Sequence, residues 1–333
     1  MSSRNSTRFE WGSSMRIKFW GTRGSLPAPL DHRGVRRKIV NALVKGDGKG
    51  LDTADKAEAF CDAELSFAEW GAFGGNTSCV QIDAGGPDYL LCDLGSGVRE
   101  FSLSAIAQHG PSKPQTYHVL VSHVHWDHIM GFPFFVPAFI AGNRIRLYSC
   151  HPKLEQAIRG QNHEPSFPVE FEALAASIEF IHLEPGKAYE ICGASVVGMG
   201  QLHSNESFGY RIEKDGKTVV YTTDAEHKPE DVEAMQRTAA FFQGADLVIF
   251  DAMYSLADSI SMKEDWGHSS NILGVELSQM AAAKGLCLFH HEPINSDNDI
   301  ERIFNETIRF EEITRSGAPL KIHVAYDGLV LDV

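Results

Sequence analysis

Six residues in one short stretch carry the strongest chemical signal in the chain: His123-Val124-His125-Trp126-Asp127-His128. They follow an apolar run at 117–122 (YHVLVS) that reads as a buried strand. In an extended segment, residues two apart project to the same side, so His123 and His125 face one way. Asp127 and His128 follow as the chain turns. One loop thus offers three imidazoles and a carboxylate, ligands suited to zinc and its first-row neighbours. Other histidines and acids close or follow strand-like runs: Asp93, Asp224, His203 and the pair His290-His291. Taken singly, His203 and Asp224 read as surface or cap residues.

Such a loop needs elements to hold it. The 333 residues, 43% of them hydrophobic, are enough to bury a sizeable core. Strand-like runs recur from residue 16 to residue 332. The pairs 78–83/88–93 and 208–213/218–223 are joined by Gly85-Gly86-Pro87 and Lys214-Asp215-Gly216-Lys217 and read as hairpins. Helices are expected near 97–108, 229–242, 270–284 and 297–312, with strands 246–251, 286–290, 321–325 and 328–332 among the later ones. This mixture predicts two mixed sheets with helices on their outer faces. Residues 31–72 differ in kind and read as a helical insertion over one edge. Without a Pro/Ser-rich linker, 15–333 is expected to be a single domain. Residues 1–14 lack an apolar run and read as a flexible tail, or as residues preceding a natural start at Met15.

Lys and Arg number 30 against 44 Asp and Glu, a net charge of −14. An acidic surface repels phosphate backbones, so no nucleic-acid polymer is expected as a partner. A small anionic substrate stays open, because a local metal pair outweighs a distant field. No run approaches the roughly 18 apolar residues of a membrane helix. The six cysteines show no C-x-x-C spacing. The expectation is a cytoplasmic protein with reduced thiols and no membrane partner.

In their order along the chain, these segments resemble the metallo-β-lactamase superfamily. The resemblance runs nearly the whole way from Met15: SHVHWDH after its strand, Asp93 in DLGSG, His203 in GMGQLHS, Asp224 in VVYTTD and His290 in CLFHHEP. It implies an α/β fold, a four-layer αββα sandwich with a dinuclear site at one edge between the sheets. It assigns His123, His125 and His203 to one metal, Asp127, His128 and His290 to the other, and Asp224 as the bridge. His290 rather than His291 matches the family position. Asp93 corresponds to a buried aspartate that orients ligands from beneath the metal loop. Two divalent ions are implied, zinc first, with manganese or iron accepted by the same N/O ligands.

The branch decides the chemistry. A bridging Asp224 departs from true β-lactamases. His125 and Asp127, in place of an H-x-E-x-D pattern, argue against the redox di-iron branch. Trp266-Gly267-His268-Ser269-Ser270 resembles the G-H-S-T segment of ribonuclease Z and related cyclic-phosphodiester hydrolases, whose histidine faces the metals. Asp127 and His268 are therefore the candidate catalytic residues, with His268 protonating the leaving oxygen. Ser269 or Ser270 would cap the next helix. The glycine-rich turns 21–25 and 74–78 suit close approach to a phosphate, which makes Arg23, Asn76 and His291 candidate substrate contacts. Ribonuclease Z enzymes grip transfer RNA with a basic arm, whereas residues 31–72 hold seven basic and eight acidic residues. The expected substrate is therefore a small phosphodiester such as a cyclic nucleotide, attacked by a hydroxide shared between the metals. A lactonase or thioesterase using the same metals, and a non-catalytic metal-binding sensor, are the alternatives. A homodimer is compatible with the resemblance.

Overall fold

The computed structural model describes residues 15–83, 85–255 and 267–333. The tail expected at 1–14 and Trp266 lie outside the described residues.

The strands, in chain order, are β1 (Arg16–Gly21), β2 (Cys79–Asp83), β3 (Tyr89–Cys92), β4 (Thr116–Leu120), β5 (Arg144–Ser149), β6 (Ser177–His182) and β7 (Ala188–Ile191). They continue as β8 (Ala194–Gln201), β9 (Ser207–Lys214), β10 (Lys217–Thr222), β11 (Leu247–Asp251), β12 (Gly285–Phe289), β13 (Lys321–Val324) and β14 (Val330–Asp332). The helices are α1 (His32–Lys45), α2 (Ala54–Glu64), α3 (Phe67–Trp70), α4 (Val98–His109), α5 (Trp126–Ile129), α6 (Leu154–Gln161), α7 (Val232–Phe242), α8 (Asn271–Met280) and α9 (Asp297–Thr314).

Two seven-stranded mixed sheets form, in the orders β14-β1-β2-β3-β4-β5-β6 and β13-β12-β11-β10-β9-β8-β7. Their facing sides share one core, in which Phe19, Cys92 and Leu120 of the first sheet join Tyr210, Tyr221 and Phe289 of the second. A second core lies under α4 and α6, and a third under α7, α8 and α9. The layers are helix, sheet, sheet, helix: the αββα sandwich of the metallo-β-lactamase fold. The continuous apolar runs of β11 and β12 follow from this, since each strand is covered on both faces and every residue is buried.

Parallel pairing places the chemistry. β3, β4, β5 and β6 run parallel in one sheet, and β10, β11, β12 and β13 in the other. The carboxyl ends of β3, β4, β10, β11 and β12 lead into Asp93, the histidine loop, Asp224, Asp251 and His290. Strand β4 ends at Leu120, earlier than expected, because Ser122 turns its backbone N–H to Asp93 Oδ1 at 2.7 Å. Helix α8 ends at Met280 rather than near residue 284; Ala282 beyond it takes a φ of 49°.

The insertion at 31–72 is helical, as its composition predicts, and forms α1, α2 and α3. It is tied to α9 by Ser66 Oγ donating to Glu301 at 2.7 Å and by Lys38 Nζ at 2.7 Å from Asp297. Phe67 packs on Phe73 and Tyr326. Among the described residues, no helix is long and apolar enough to cross a membrane.

Candidate metal centre

Asp93 is the buried foundation of the site. Its carboxylate accepts from the Ser122 N–H and Oγ–H at 2.7 and 2.8 Å and from the Tyr221 hydroxyl at 2.7 Å. Its Oδ2 also lies 2.8 Å from His128 Nδ1, which turns His128 Nε2 toward the open edge. Three of the loop-borne residues, Asp93, Asp224 and His290, adopt left-handed backbone, with φ of 61°, 46° and 61°. That conformation is uncommon outside glycine, and residues held in it cluster where geometry serves function.

Two groups of donors share Asp224. Ligand atoms of His123, His125, His203 and Asp224 all lie within 4.8 Å of one another, as do those of Asp127, His128, Asp224 and His290. In the second group, His128 Nε2 stands 3.0 Å from Asp224 Oδ1 and 3.2 Å from both Asp127 Oδ2 and His290 Nε2. In the first, His123 Nε2 and His203 Nε2 are each 3.6 Å from Asp224 Oδ2, and His203 Nε2 is 3.2 Å from His125 Nδ1. Neighbouring groups set the orientations. His203 Nδ1 lies 2.8 Å from the Gly267 carbonyl, and the Ser25 N–H donates to Asp127 Oδ2 at 2.7 Å. Gly24 permits this approach: a Cβ there would sit 2.5 Å from the His290 ring.

These residues fit divalent cations. His123 Nε2 is buried and has no hydrogen-bond partner among the described residues. Burial, aided by neighbouring imidazoles, pushes His123, His125 and His203 down, toward the neutral form that binds metal. At His128 burial pushes down as well, but Asp224, Asp127 and Asp93 outweigh it and hold the proton on. At His290 burial again pushes down, and Asp224, Asp127 and Asp251 outweigh it and raise the pKa to about 10. The second group thus draws in positive charge, which cations supply with better geometry than opposed imidazolium rings.

A third group adjoins the first two. Ligand atoms of Asp251 and His268 lie within 4.8 Å of those of Asp224 and His290. His268 Nδ1 is 2.8 Å from Asp251 Oδ2, and its ring packs against His203 and His290 with centroids 5.3 and 5.2 Å away. Burial opposes protonation of His268, and Asp251 outweighs it. Ser270 caps α8, while Ser269 Oγ donates to the Ala225 carbonyl. Sequence reasoning missed Asp251. Its one signal is the acid closing LVIFD, the same pattern that singled out Asp93 and Asp224.

Arg23, Asn76 and His291, the expected substrate contacts, take part in the frame of the site. Arg23 is buried and donates to the carbonyls of Gly74, Glu292 and Asn295 at 3.0, 3.2 and 2.9 Å. Asn76 accepts from the Ser96 hydroxyl through its side chain, and its N–H donates to Asp327. His291 Nε2 lies 2.8 Å from the Ala325 carbonyl, and burial, reinforced by Arg23, pushes its pKa down to about 3. The two glycine-rich turns brace one another and Asp127 through these contacts.

Comparison with known proteins agrees with this architecture. The family described as "Beta-lactamase superfamily domain" matches residues 88–291. The chain belongs to that superfamily and is a hydrolase of the metallo-β-lactamase fold, a family whose centre uses divalent metal ions. Among curated relatives, ribonuclease Z of Halorubrum lacusprofundi is 24% identical over 61% of this chain and 77% of its own length. Ribonuclease Z of Thermoplasma acidophilum is 24% identical over 90% of this chain and 95% of its own. A solved diphosphatase of the PhnP family superimposes with a TM-score of 0.59 at 21% identity, covering 95% of this chain and 97% of that one. The ribonuclease relatives overturn the exclusion of nucleic-acid polymers. That exclusion rested on net charge, which averages over the whole surface, whereas a polymer is gripped locally.

Proposed function

We propose that this protein is a metal-dependent phosphodiesterase with a dinuclear centre. The observation that carries the reading is the contact of three groups: two donor sets sharing Asp224, and the Asp251–His268 pair packed against one ring of each set. His123, His125 and His203 would hold one divalent cation, Asp127, His128 and His290 the other, and Asp224 both. When bound, such cations offset charge developing on a phosphoryl group and lower the pKa of nearby water. Zinc is the first choice for these ligands, and manganese or iron suit the same N/O set.

The chain's own residues supply the rest. Asp93 fixes the His128 tautomer, and the Gly267 carbonyl fixes that of His203. Asp251 holds His268 by Nδ1, which leaves Nε2 to carry a proton to the departing oxygen. The phosphodiester reading is favoured over a lactonase or thioesterase by this acid, because an acyl substrate calls first for an oxyanion donor.

The first substrate class is a small phosphodiester such as a cyclic nucleotide. The ribonuclease Z relatives favour a second reading, a phosphodiester within RNA, which the same chemistry serves. The test is a panel of bis(p-nitrophenyl) phosphate, cyclic nucleotides, a lactone and a thioester, each with metal-loaded protein. Turnover of phosphodiesters in preference to carbonyl substrates is expected. Turnover confined to the lactone or thioester contradicts the proposal.

A further inference from the structure

A groove of about 570 Å³ lies between α1, residues 68–74 and residues 293–298. Its walls continue the loops of the centre. Ser25 donates to Asp127, and Ala28 lines the groove; His290 belongs to a donor set, and Pro293 lines the groove. Three residues of chain span at most about 11 Å, so Ala28 and Pro293 on the groove walls lie within that reach of Ser25 and His290.

Its charges do not cancel. Of the acids on its walls, Asp31 caps α1 through the Gly34 N–H at 2.7 Å. Asp297 is paired with Lys38 and accepts the Phe73 N–H at 2.9 Å. Glu69 is paired with Lys45 at 2.6 Å and accepts the Ser66 N–H. Arg23 is spent on three carbonyls. Arg33 and Arg37 both line the groove and are exposed, and neither guanidinium has a hydrogen bond or close ion pair among the described residues, although Arg33 lies in the field of Asp31. Set four apart on α1, they project from one helix face. The groove walls carry Arg23, Arg33, Arg37 and Lys38 against Asp31, Glu69 and Asp297, a small positive excess on a chain with a net charge of −14, and Arg33 and Arg37 are its exposed cations. The planar guanidinium fork suits phosphate oxygens.

We infer that Arg33 and Arg37 bind a second phosphate of the substrate, beyond the one being cleaved, so that a short single-stranded oligonucleotide lies across groove and metal centre together. This inference rests on the phosphodiesterase reading and extends it to substrates with more than one phosphate.

The probe is a fluorescein-labelled single-stranded hexaribonucleotide, read by anisotropy against the metal-loaded full chain carrying His268→Ala to prevent cleavage. Adding Arg33→Gln and Arg37→Gln should weaken binding about tenfold or more at low salt. It should also reduce the slope of log K against log salt by about 0.7, the weight of one single-strand phosphate contact. Arg36→Gln removes one charge from α1 without touching the groove, and should change affinity less than about twofold, whereas Arg33→Gln or Arg37→Gln alone should weaken it more. Both arginines are exposed, so the thermal midpoint should not move. An Arg33/Arg37 variant that binds like Arg36→Gln overturns the inference, as does failure of the parent to bind the probe. Turnover of bis(p-nitrophenyl) phosphate, which has a single phosphate, is measured separately on the wild-type protein. Its loss would sink the phosphodiesterase reading, whereas oligonucleotide binding reports on the groove alone.

Discussion

His268 and Asp93 stand at opposite ends of the site's division of labour. His268 touches both donor sets by ring packing yet is absent from the two groups that hold the cations in the proposed reading. His268→Ala should lower kcat for bis(p-nitrophenyl) phosphate by about 10²- to 10⁴-fold, the usual weight of an acid–base group, and leave metal content unchanged. Elemental analysis beside the kinetics checks this, and a loss of metal would make His268 structural. Asp93 instead gathers four donors in a fully buried pocket. Asp93→Ala would strand them, at a cost of about 3 kcal/mol or more, visible as a lower urea midpoint. The ligand loop was legible because local spacing alone groups its side chains. Asp251 was not, since its partner His268 comes to it only through folding. The bracing contacts of Arg23 were not legible for the same reason: its carbonyl acceptors lie 51 to 272 positions away in the chain.

At the scale of elements, the site is a consequence of parallel pairing in two sheets. Strands covered on both faces leave apolar runs that can be read from sequence, and the polar residues just past their carboxyl ends collect at one edge. Most strands and the later helices were therefore legible. The short β7 and α6 were not, being only four and eight residues long. The insertion read correctly as helical, but not the way it is fastened. Lys38 and Asp297 are both largely buried and 2.7 Å apart. Asp297→Ala removes the counter-charge of Lys38, which keeps the Ala68 carbonyl, and leaves the Phe73 N–H without its acceptor; it should cost about 3 kcal/mol. Hydrogen exchange should then show faster exchange in α1 and α3 than in β11 or β12. Uniform loosening of the whole chain would contradict this attachment.

For the whole molecule, charge and proton balance matter beyond the site. Burial pushes His227 and His323 down to about 4. Their pKa in the unfolded chain is about 6.5, so below that value the unfolded state binds more protons. Stability from these two residues is fully present above about pH 6.5 and is lost as pH falls toward 4. Urea unfolding at pH 7 and at pH 5 should show the decline, and His227→Gln should flatten it. An unchanged slope in that variant would remove His227 as a source. The net charge that argued against polymer partners is likewise a property of the whole molecule, and the unpaired arginines of α1 show how little it says about one groove.

The central claim is that two cations share Asp224 and that phosphodiester hydrolysis depends on both. The most direct measurement is metal stoichiometry together with bis(p-nitrophenyl) phosphate turnover, for the wild type and for Asp224→Ala. The account predicts two divalent ions per chain and turnover in the wild type. In the variant it predicts fewer than two ions and a loss of at least about 10³-fold in rate, several kcal/mol of transition-state stabilisation. A variant that keeps both ions and its turnover would contradict it.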